Sequence, residues 1–264
     1  MNAMIRNALD PVEIDRRAGN GSLLTQYRRY FSTVRADSPA LVEVAHGLRF
    51  QVYCLERKFE NAEEHPNGLE IDAYDDHSVQ GILFHRPTQS AMGAVRVIHT
   101  GGGVPDSLPI ERLLRANSLD LSDYVDLSQT IEISRFAISK EFRRRGLDEM
   151  DARVNAQTAA ASETPLAFLG LSQFALREGV KRNVQFWTAV MEPKLLRLLA
   201  RMGICYTPIG PLVEHHGIRQ PCYCYVPDTL ENARRVNPQC WEVLTDGGRL
   251  HDQMISNNRE LAVA

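Results

Sequence analysis

Apolar residues at Leu41, Val44, Ala45, Leu48, Val52 and Leu55 recur at steps of three and four, which places them on one stripe of a helix. The pair Ser38-Pro39 supplies the start: a hydroxyl to cap a free N–H, then a ring whose fixed φ suits the first helical position. Arg49 and Tyr53, four apart, flank the stripe together. Residues 30–34 predict a first strand, and residues 21–29 a short helix after a loose polar stretch over 1–20. Two apolar runs, 79–85 and 92–99, stand on either side of Pro87-Thr88-Gln89-Ser90 and predict an antiparallel hairpin with Arg96 in its second strand.

Between that helix and the hairpin, residues 60–76 are acidic, contain Pro66-Asn67-Gly68 and show neither period, so they predict a long loop, a place where function often sits. Further on, the pattern predicts a short helix at 108–115, an approach at 119–128, a strand at 130–139 and helices at 147–161 and 169–178. A β-rich stretch at 183–190, an amphipathic helix at 192–202 and a late strand at 221–226 follow. This order predicts an α+β fold, a sheet with helices on its faces. The pattern weakens after Asp228, so the chain divides into an arm with a short helix (1–29), a main domain (30–227) and an appended, partly flexible segment (228–264). No internal repeat is present.

The strand at 130–139, Thr130-Ile131-Glu132-Ile133-Ser134-Arg135-Phe136-Ala137-Ile138-Ser139, places two opposite charges in an otherwise apolar run. Such charges are seldom buried unless paired. On a regular strand, Glu132 and Arg135 point to opposite faces. A bulge near Ile133 or Ser134 brings both to one side and leaves a backbone N–H able to hold a developing oxyanion. A structural ion pair at a sheet edge is the alternative. Directly after the strand come Lys140, Arg143, Arg144 and Arg145, then Gly146, a basic turn that Lys181 and Arg182 would extend.

Composition narrows the function classes. Charged residues are 24% and the net charge is −3, so no general attraction to nucleic acid or membrane follows, and no aromatic interleaving marks a nucleic-acid surface. Residues 1–10 lack the apolar core of a secretory signal and no apolar run is long enough to cross a bilayer, from which a cytoplasmic location is expected. The five cysteines are Cys54, Cys205, Cys222, Cys224 and Cys240, an odd and scattered set that does not read as a disulfide framework. Cys222 and Cys224 near His215-His216 read as packing on one strand face rather than as a zinc site, so no metal is expected.

Arg49, Tyr53, Phe59, the run Leu69-Glu70-Ile71-Asp72-Ala73-Tyr74-Asp75-Asp76, Arg96 and Glu132…Arg135 occur in an order that resembles acyl-homoserine-lactone synthases and N-acyl amino acid synthases, a branch of the GNAT acyltransferases. Tyr53-Cys54-Leu55-Glu56, His65-Pro66-Asn67-Gly68-Leu69-Glu70 and Glu132-Ile133-Ser134-Arg135-Phe136 resemble most the acyltransferases associated with PEP-CTERM/exosortase systems. The resemblance covers roughly residues 30–226 and implies a bacterial protein with a GNAT-like fold: a mixed, mostly antiparallel, twisted sheet, helices on both faces and a bulged central strand. Phe59 stands where lactone synthases carry tryptophan, and Gly146 is followed by Leu147 and Asp148 where a coenzyme A loop calls for a small residue.

The implied activity is transfer of a fatty acyl group from the phosphopantetheine thioester of acyl carrier protein to the amine of an amino acid or related small amine. Acyl-CoA is the secondary donor, and no tightly bound cofactor is expected. Lactone synthesis from S-adenosylmethionine and a non-catalytic acyl-carrier or lipid-binding regulator are the alternatives. Glu132 is the candidate base that takes the acceptor's proton, with ion pairing to Arg96 or Arg135 as its other reading. Ser134 and Arg135 complete the catalytic set. Arg96 and Arg135 suit an acceptor carboxylate, which a guanidinium grips with two N–H groups. Asp72 and Asp75 are expected either to pair with Arg49 and order the loop, or simply to form turns. Arg49, Tyr53, Phe59, Asp72, Asp75, Arg96 and Phe136 are the substrate-binding candidates. Lys140, Arg143, Arg144, Arg145 and Gly146 are the docking candidates for an acidic carrier protein.

Overall fold

The computed structural model describes residues 22–100, 106–140 and 156–263. Ser22 opens the first helix, its hydroxyl accepting the Thr25 N–H, and α1 (Leu23–Tyr30) runs directly into strand β1 (Phe31–Arg35). Ser38 caps α2 (Pro39–Phe50) as its sequence predicts, accepting the Leu41 N–H with Pro39 in the first turn. The helix then widens into a π-helical turn, Gln51–Glu56. That change in pitch shifts the phase of the apolar stripe. Cys54 becomes buried and Leu55, which the helical period places inward, is 57% exposed.

Strands β2 (Ser78–His85) and β3 (Ser90–His99) form the expected hairpin. After α3 (Pro109–Arg115) and two 3-10 turns comes β4 (Thr130–Ile138), followed later by α4 (Ala156–Val180). The sequence suggested helices at 147–161 and 169–178; residues 147–155 lie outside the described residues, and from Ala156 α4 is instead continuous across residues 162–168. Then come β5 (Phe186–Met191), α5 (Pro193–Arg201), two short strands β6 (Thr207–Pro208) and β7 (Val213–Glu214), and β8 (Ile218–Tyr225). Two-residue strands are too short for period-2 alternation to reveal.

The chain forms two compact units, each drawn from separate parts of the sequence. One comprises residues up to 71, 80–95 and 135–174; its strand order is β1, β2, β3, β4, with β1 antiparallel to β2. Leu41 and Ala45 of α2 pack on Ile82 and Phe84 of β2. Gly81 is required here, because a Cβ at that position would lie 2.5 Å from Cδ1 of Phe174.

The second unit comprises residues 72–79, 96–134 and 175 onward, with strand order β3, β4, β5, β8, β6 and β7 added to β8. β4 runs parallel to β5 over Thr130–Glu132 against Phe186–Thr188, while β5 continues to Met191 as the antiparallel partner of β8. Its core joins Ile98, Leu108, Ile110, Leu114, Leu121, Val125 and Ile209.

The C-terminal segment differs from expectation. It forms three helices, α6 (Val226–Val236), α7 (Pro238–Thr245) and α8 (Arg249–Val263). Leu230, Ala233, Val243, Leu244 and Leu250 are at most 1% exposed, so the segment contributes core rather than hanging from it. Asn257 Nδ2 donates to the Val180 carbonyl at 2.9 Å, and Gln185 Nε2 to Asn258 Oδ1 at 2.7 Å. The apolar stripes of these helices are short and interrupted by polar residues, which is why the sequence pattern fades there.

Candidate active site

In the first unit, four charged side chains form a chain. Arg49 on α2 is fully buried, and its Nε donates to Glu70 Oε2 at 2.6 Å. Glu70 Oε1 accepts from Arg135 Nε at 3.0 Å, and Arg135 Nη2 donates to Glu60 Oε1 at 3.1 Å. Burial opposes ionisation of Glu70, yet the Arg49 and Arg135 guanidinium groups outweigh it and hold its carboxyl below the usual glutamate range. The neighbouring Cys54 thiol is pushed up by burial first, then by Glu70 and Glu60.

Aromatic groups hold Arg135 from another side. Its guanidinium lies 5.3 Å over the Tyr53 ring, a favourable cation–π arrangement. Tyr53 Oη donates to the Phe136 carbonyl at 3.4 Å, Phe59 lies 6.1 Å from Tyr53, and Phe136 stacks on Phe168 at 4.6 Å. The π-helical turn therefore presents Tyr53 to the end of β4. It also presents Glu56, whose two carboxylate oxygens accept the Lys140 N–H at 3.0 and 2.9 Å while Lys140 Nζ donates to the Glu56 carbonyl.

Arg135 has φ of +47° inside β4. A bulky non-glycine residue in the left-handed region is strained. Such strain persists only where surrounding contacts over-determine it, and it clusters at functional sites. The sequence pointed to an irregularity near Ile133 or Ser134; the structure locates the irregular backbone one step on, at Arg135.

In the second unit, Arg96 on β3 is 1% exposed and is held by Asp72 at 2.5 Å and Asp75 at 3.2 Å through Nη1. Its Nε donates to Ser134 Oγ at 3.0 Å, and Tyr74 lies under the guanidinium at 5.9 Å. Asp72 and Asp75 also build a capping box at the 3-10 turn Ala73–His77, the Asp72 carboxylate accepting the Tyr74 N–H and the Asp75 carboxylate accepting the N–H of Asp72, the capping residue. Glu132, 2% exposed, accepts the Ile110 N–H at 2.8 Å and so anchors the first turn of α3, beside Glu111, which accepts the Leu108 N–H.

A family model described as Acetyltransferase (GNAT) domain matches residues 48–152. Among solved structures, the chain is similar to TofI in a ternary complex with an inhibitor and MTA, at 17% identity and TM-score 0.53, covering 79% of this chain and 99% of that one. It is similar also to BjaI, a CoA-dependent acyl-homoserine lactone synthase with SAM and isopentyl-CoA, at 19% identity and TM-score 0.51, covering 84% and 89%. FeeM, an N-acyl amino acid synthase from uncultured soil microbes, aligns at 14% identity and TM-score 0.48, covering 78% and 96%. Comparison with curated protein sequences gives no match. The fold is GNAT-like.

Several pairings differ from those anticipated. Of the two roles expected for Asp72 and Asp75, turn formation is observed in their capping box, whereas the pairing with Arg49 is not: they grip Arg96, and Arg49 pairs with Glu70. Arg49 is a core residue rather than a flank residue, because an apolar helix side can hold a guanidinium only where a buried carboxylate meets it. Glu60 was not singled out, and Glu70 stood in the quoted motifs without a role of its own. The available signal was charge balance: two arginines on apolar elements require carboxylates. Lys181 and Arg182 pair with the fully buried Glu178. Arg143, Arg144, Arg145 and Gly146 lie outside the described residues.

Cys222 and Cys224 are buried on β8, Cys222 donating to the Ala189 carbonyl at 3.2 Å. Burial pushes both thiols up, Cys224 to about 12. That is the behaviour of packed cysteines rather than of thiolates poised to react. Among the described residues no group of three or more histidine, cysteine or acidic side chains is placed to hold a metal ion. Nor is any helix among them long and apolar enough to cross a membrane.

Proposed function

We propose that the protein is an N-acyltransferase that moves a fatty acyl group from the phosphopantetheine thioester of acyl carrier protein to the amine of an amino acid or related small amine. One observation carries this reading: β4 departs from regular backbone at Arg135, the residue through which that strand meets Glu70 and Glu60. The similarity in fold to BjaI supports acyl transfer as the reaction class. Acyl-CoA and S-adenosylmethionine, named for that protein, become competing substrates to test.

On this reading Glu132 takes the proton from the acceptor's ammonium group so that the amine can attack the thioester carbonyl. The carbonyl oxygen gains charge in the tetrahedral intermediate, and backbone N–H groups of the irregular strand stabilise it. The C–S bond then breaks and the pantetheine thiol leaves with a proton. Arg135 and Arg96 are the candidate guanidiniums for an acceptor carboxylate, with Ser134 and the Asp72–Asp75 pair holding Arg96 in one orientation. Arg49 acts through Glu70, whose carboxylate it holds. Tyr53, Phe59 and Phe136 supply apolar and π surface. The basic run Lys140, Arg143, Arg144 and Arg145 with Gly146 is proposed to receive the acidic carrier protein.

The test is product mass. The purified protein is incubated with acyl-carrier protein or acyl-CoA of several chain lengths, each with a mixture of amino acids and small amines or with S-adenosylmethionine. N-acyl amino acids formed from the carrier protein support the reading. A lactone formed only with S-adenosylmethionine replaces it with autoinducer synthesis, and donor binding without any product replaces it with a non-catalytic carrier or lipid sensor.

A further inference from the structure

We propose that Glu60 determines acceptor specificity: it is a resident carboxylate on the outer arm of Arg135, and the acceptor's own carboxylate takes its place there. The acceptor's part in this rests on the acyl-transfer reading above; the exchange of carboxylates rests on geometry.

Arg135 is held on two sides of unequal permanence. Its Nε meets Glu70, which is 1% exposed and gives its other oxygen to the fully buried Arg49. A ligand cannot replace Glu70 without breaking its buried pair with Arg49. Its Nη2 meets Glu60, whose side chain is 23% exposed and is the most accessible of the four. A carboxylate leaving that position moves into water, where it is well solvated, and an incoming carboxylate restores the same charge to the same N–H. Arg135 is 16% exposed and Glu60 23%, so Glu60 has a path out to water that the buried Glu70 lacks.

The backbone aims the two groups at each other. Lys58, one of eight non-glycine residues at positive φ among the described residues, has φ of +55°, and the turn it makes is clamped by the Phe59 and Glu60 N–H groups, both donating to the Tyr53 carbonyl at 2.8 and 3.3 Å. The other side of the contact is Arg135 itself, at φ of +47°. Strained backbone on both sides of one partly exposed ion pair marks a contact the fold has positioned. When Glu60 swings out, Glu70 and the Tyr53 ring still hold the guanidinium in place.

The experiment titrates full-length wild type and Glu60→Gln with sodium acetate against sodium chloride at constant ionic strength, read by calorimetry. A parallel assay compares kcat/KM for an amino acid and for its amide. Removing the resident carboxylate should tighten acetate binding by about threefold to tenfold and raise the acid-to-amide ratio similarly. Glu60→Asp, which keeps a carboxylate, should stay near wild type, and adding Arg135→Lys to Glu60→Gln should abolish the gain. Equal acetate affinity in wild type and Glu60→Gln, or an unchanged acid-to-amide ratio, overturns the proposal. Tighter acetate binding in a protein that acylates no amine upholds the exchange while overturning the acyl-transfer reading. Amine acylation with unchanged acetate affinity does the opposite.

Discussion

Replacing Glu70 by Gln keeps the side-chain volume but removes the charge shared by Arg49 and Arg135. The Gln amide offers one oxygen, so at least one guanidinium faces an N–H₂ group instead of a carboxylate. Glu70 is 1% exposed and Arg49 0%, so water cannot take over. Breaking a buried pair by removing one partner costs about 3–5 kcal/mol, a large share of the roughly 5–15 kcal/mol by which folded proteins are stable. At about 2–4 °C per kcal/mol for chains of this size, Tm should fall by about 6–20 °C. The assay is a thermal melt at neutral pH, with Glu63→Gln, an exposed glutamate in the same loop, as the control.

Acid separates the charge effect from packing. The Glu70 carboxyl is held below its ordinary value of 4.5, so the stabilisation it provides is complete above that pH and is lost as pH falls through the lower folded-state value. The gap between wild type and Glu70→Gln should therefore stay constant at neutral pH and narrow only in acid. A loss under about 1 kcal/mol, or a gap that narrows on raising the pH above 7, refutes the assignment of Glu70 as the keystone of this cluster.

Glu132→Gln retains an oxygen for the Ile110 N–H but no basic site, so turnover should drop by two to four orders of magnitude with little change in Tm, whereas Glu132→Ala should lower both; near-normal turnover of the Gln variant removes Glu132 as base. Gly203→Ala should destabilise by about 1–3 kcal/mol or more, since its φ is +82° and a Cβ there would lie 2.6 Å from Cα of Ala233, and a melt indistinguishable from wild type would show that α6 is free to shift. Deleting residues 228–264 should leave an insoluble or unfolded chain, because Leu230, Val243, Leu244 and Leu250 belong to the core; a soluble, cooperatively melting product would contradict that. Reversing two of Arg143, Arg144 and Arg145 to Glu should slow use of acyl-carrier protein and flatten its salt dependence while sparing a short acyl-pantetheine, checked by initial rates at low and moderate salt.

What the sequence disclosed follows from which forces act locally. The Ser38-Pro39 cap, the α2 stripe and the β2–β3 hairpin were legible because capping chemistry and hydrophobic period act within a few residues. The π-helical turn was not, since nothing in Gln51-Val52-Tyr53-Cys54-Leu55-Glu56 departs from an ordinary helical pattern, and the contacts made there join the local Gln51–Glu56 bond to long-range partners, Phe136 for Tyr53 and Lys140 for Glu56. Glu132 and Arg135 stood out as charges in a strand, but their partners are set at long range: Ile110 for one, Glu70 and Glu60 for the other. The exchange of carboxylates between Arg49 and Arg96 was invisible for the same reason, because spacing names the candidates and only the fold chooses among them. Pro165 falls within α4, where local propensity argues for a break that the structure does not make.

The most direct measurement is mass spectrometry of lipid extracts from cells expressing the wild-type protein, compared with cells expressing Glu132→Gln at equal abundance. New N-acyl amino acid species should appear with the wild type and be lost with the variant. Equal amounts from both, or no new acylated amine from the wild type under conditions where the purified protein is folded and its acyl-carrier donor is present, contradicts N-acyl transfer with Glu132 as base.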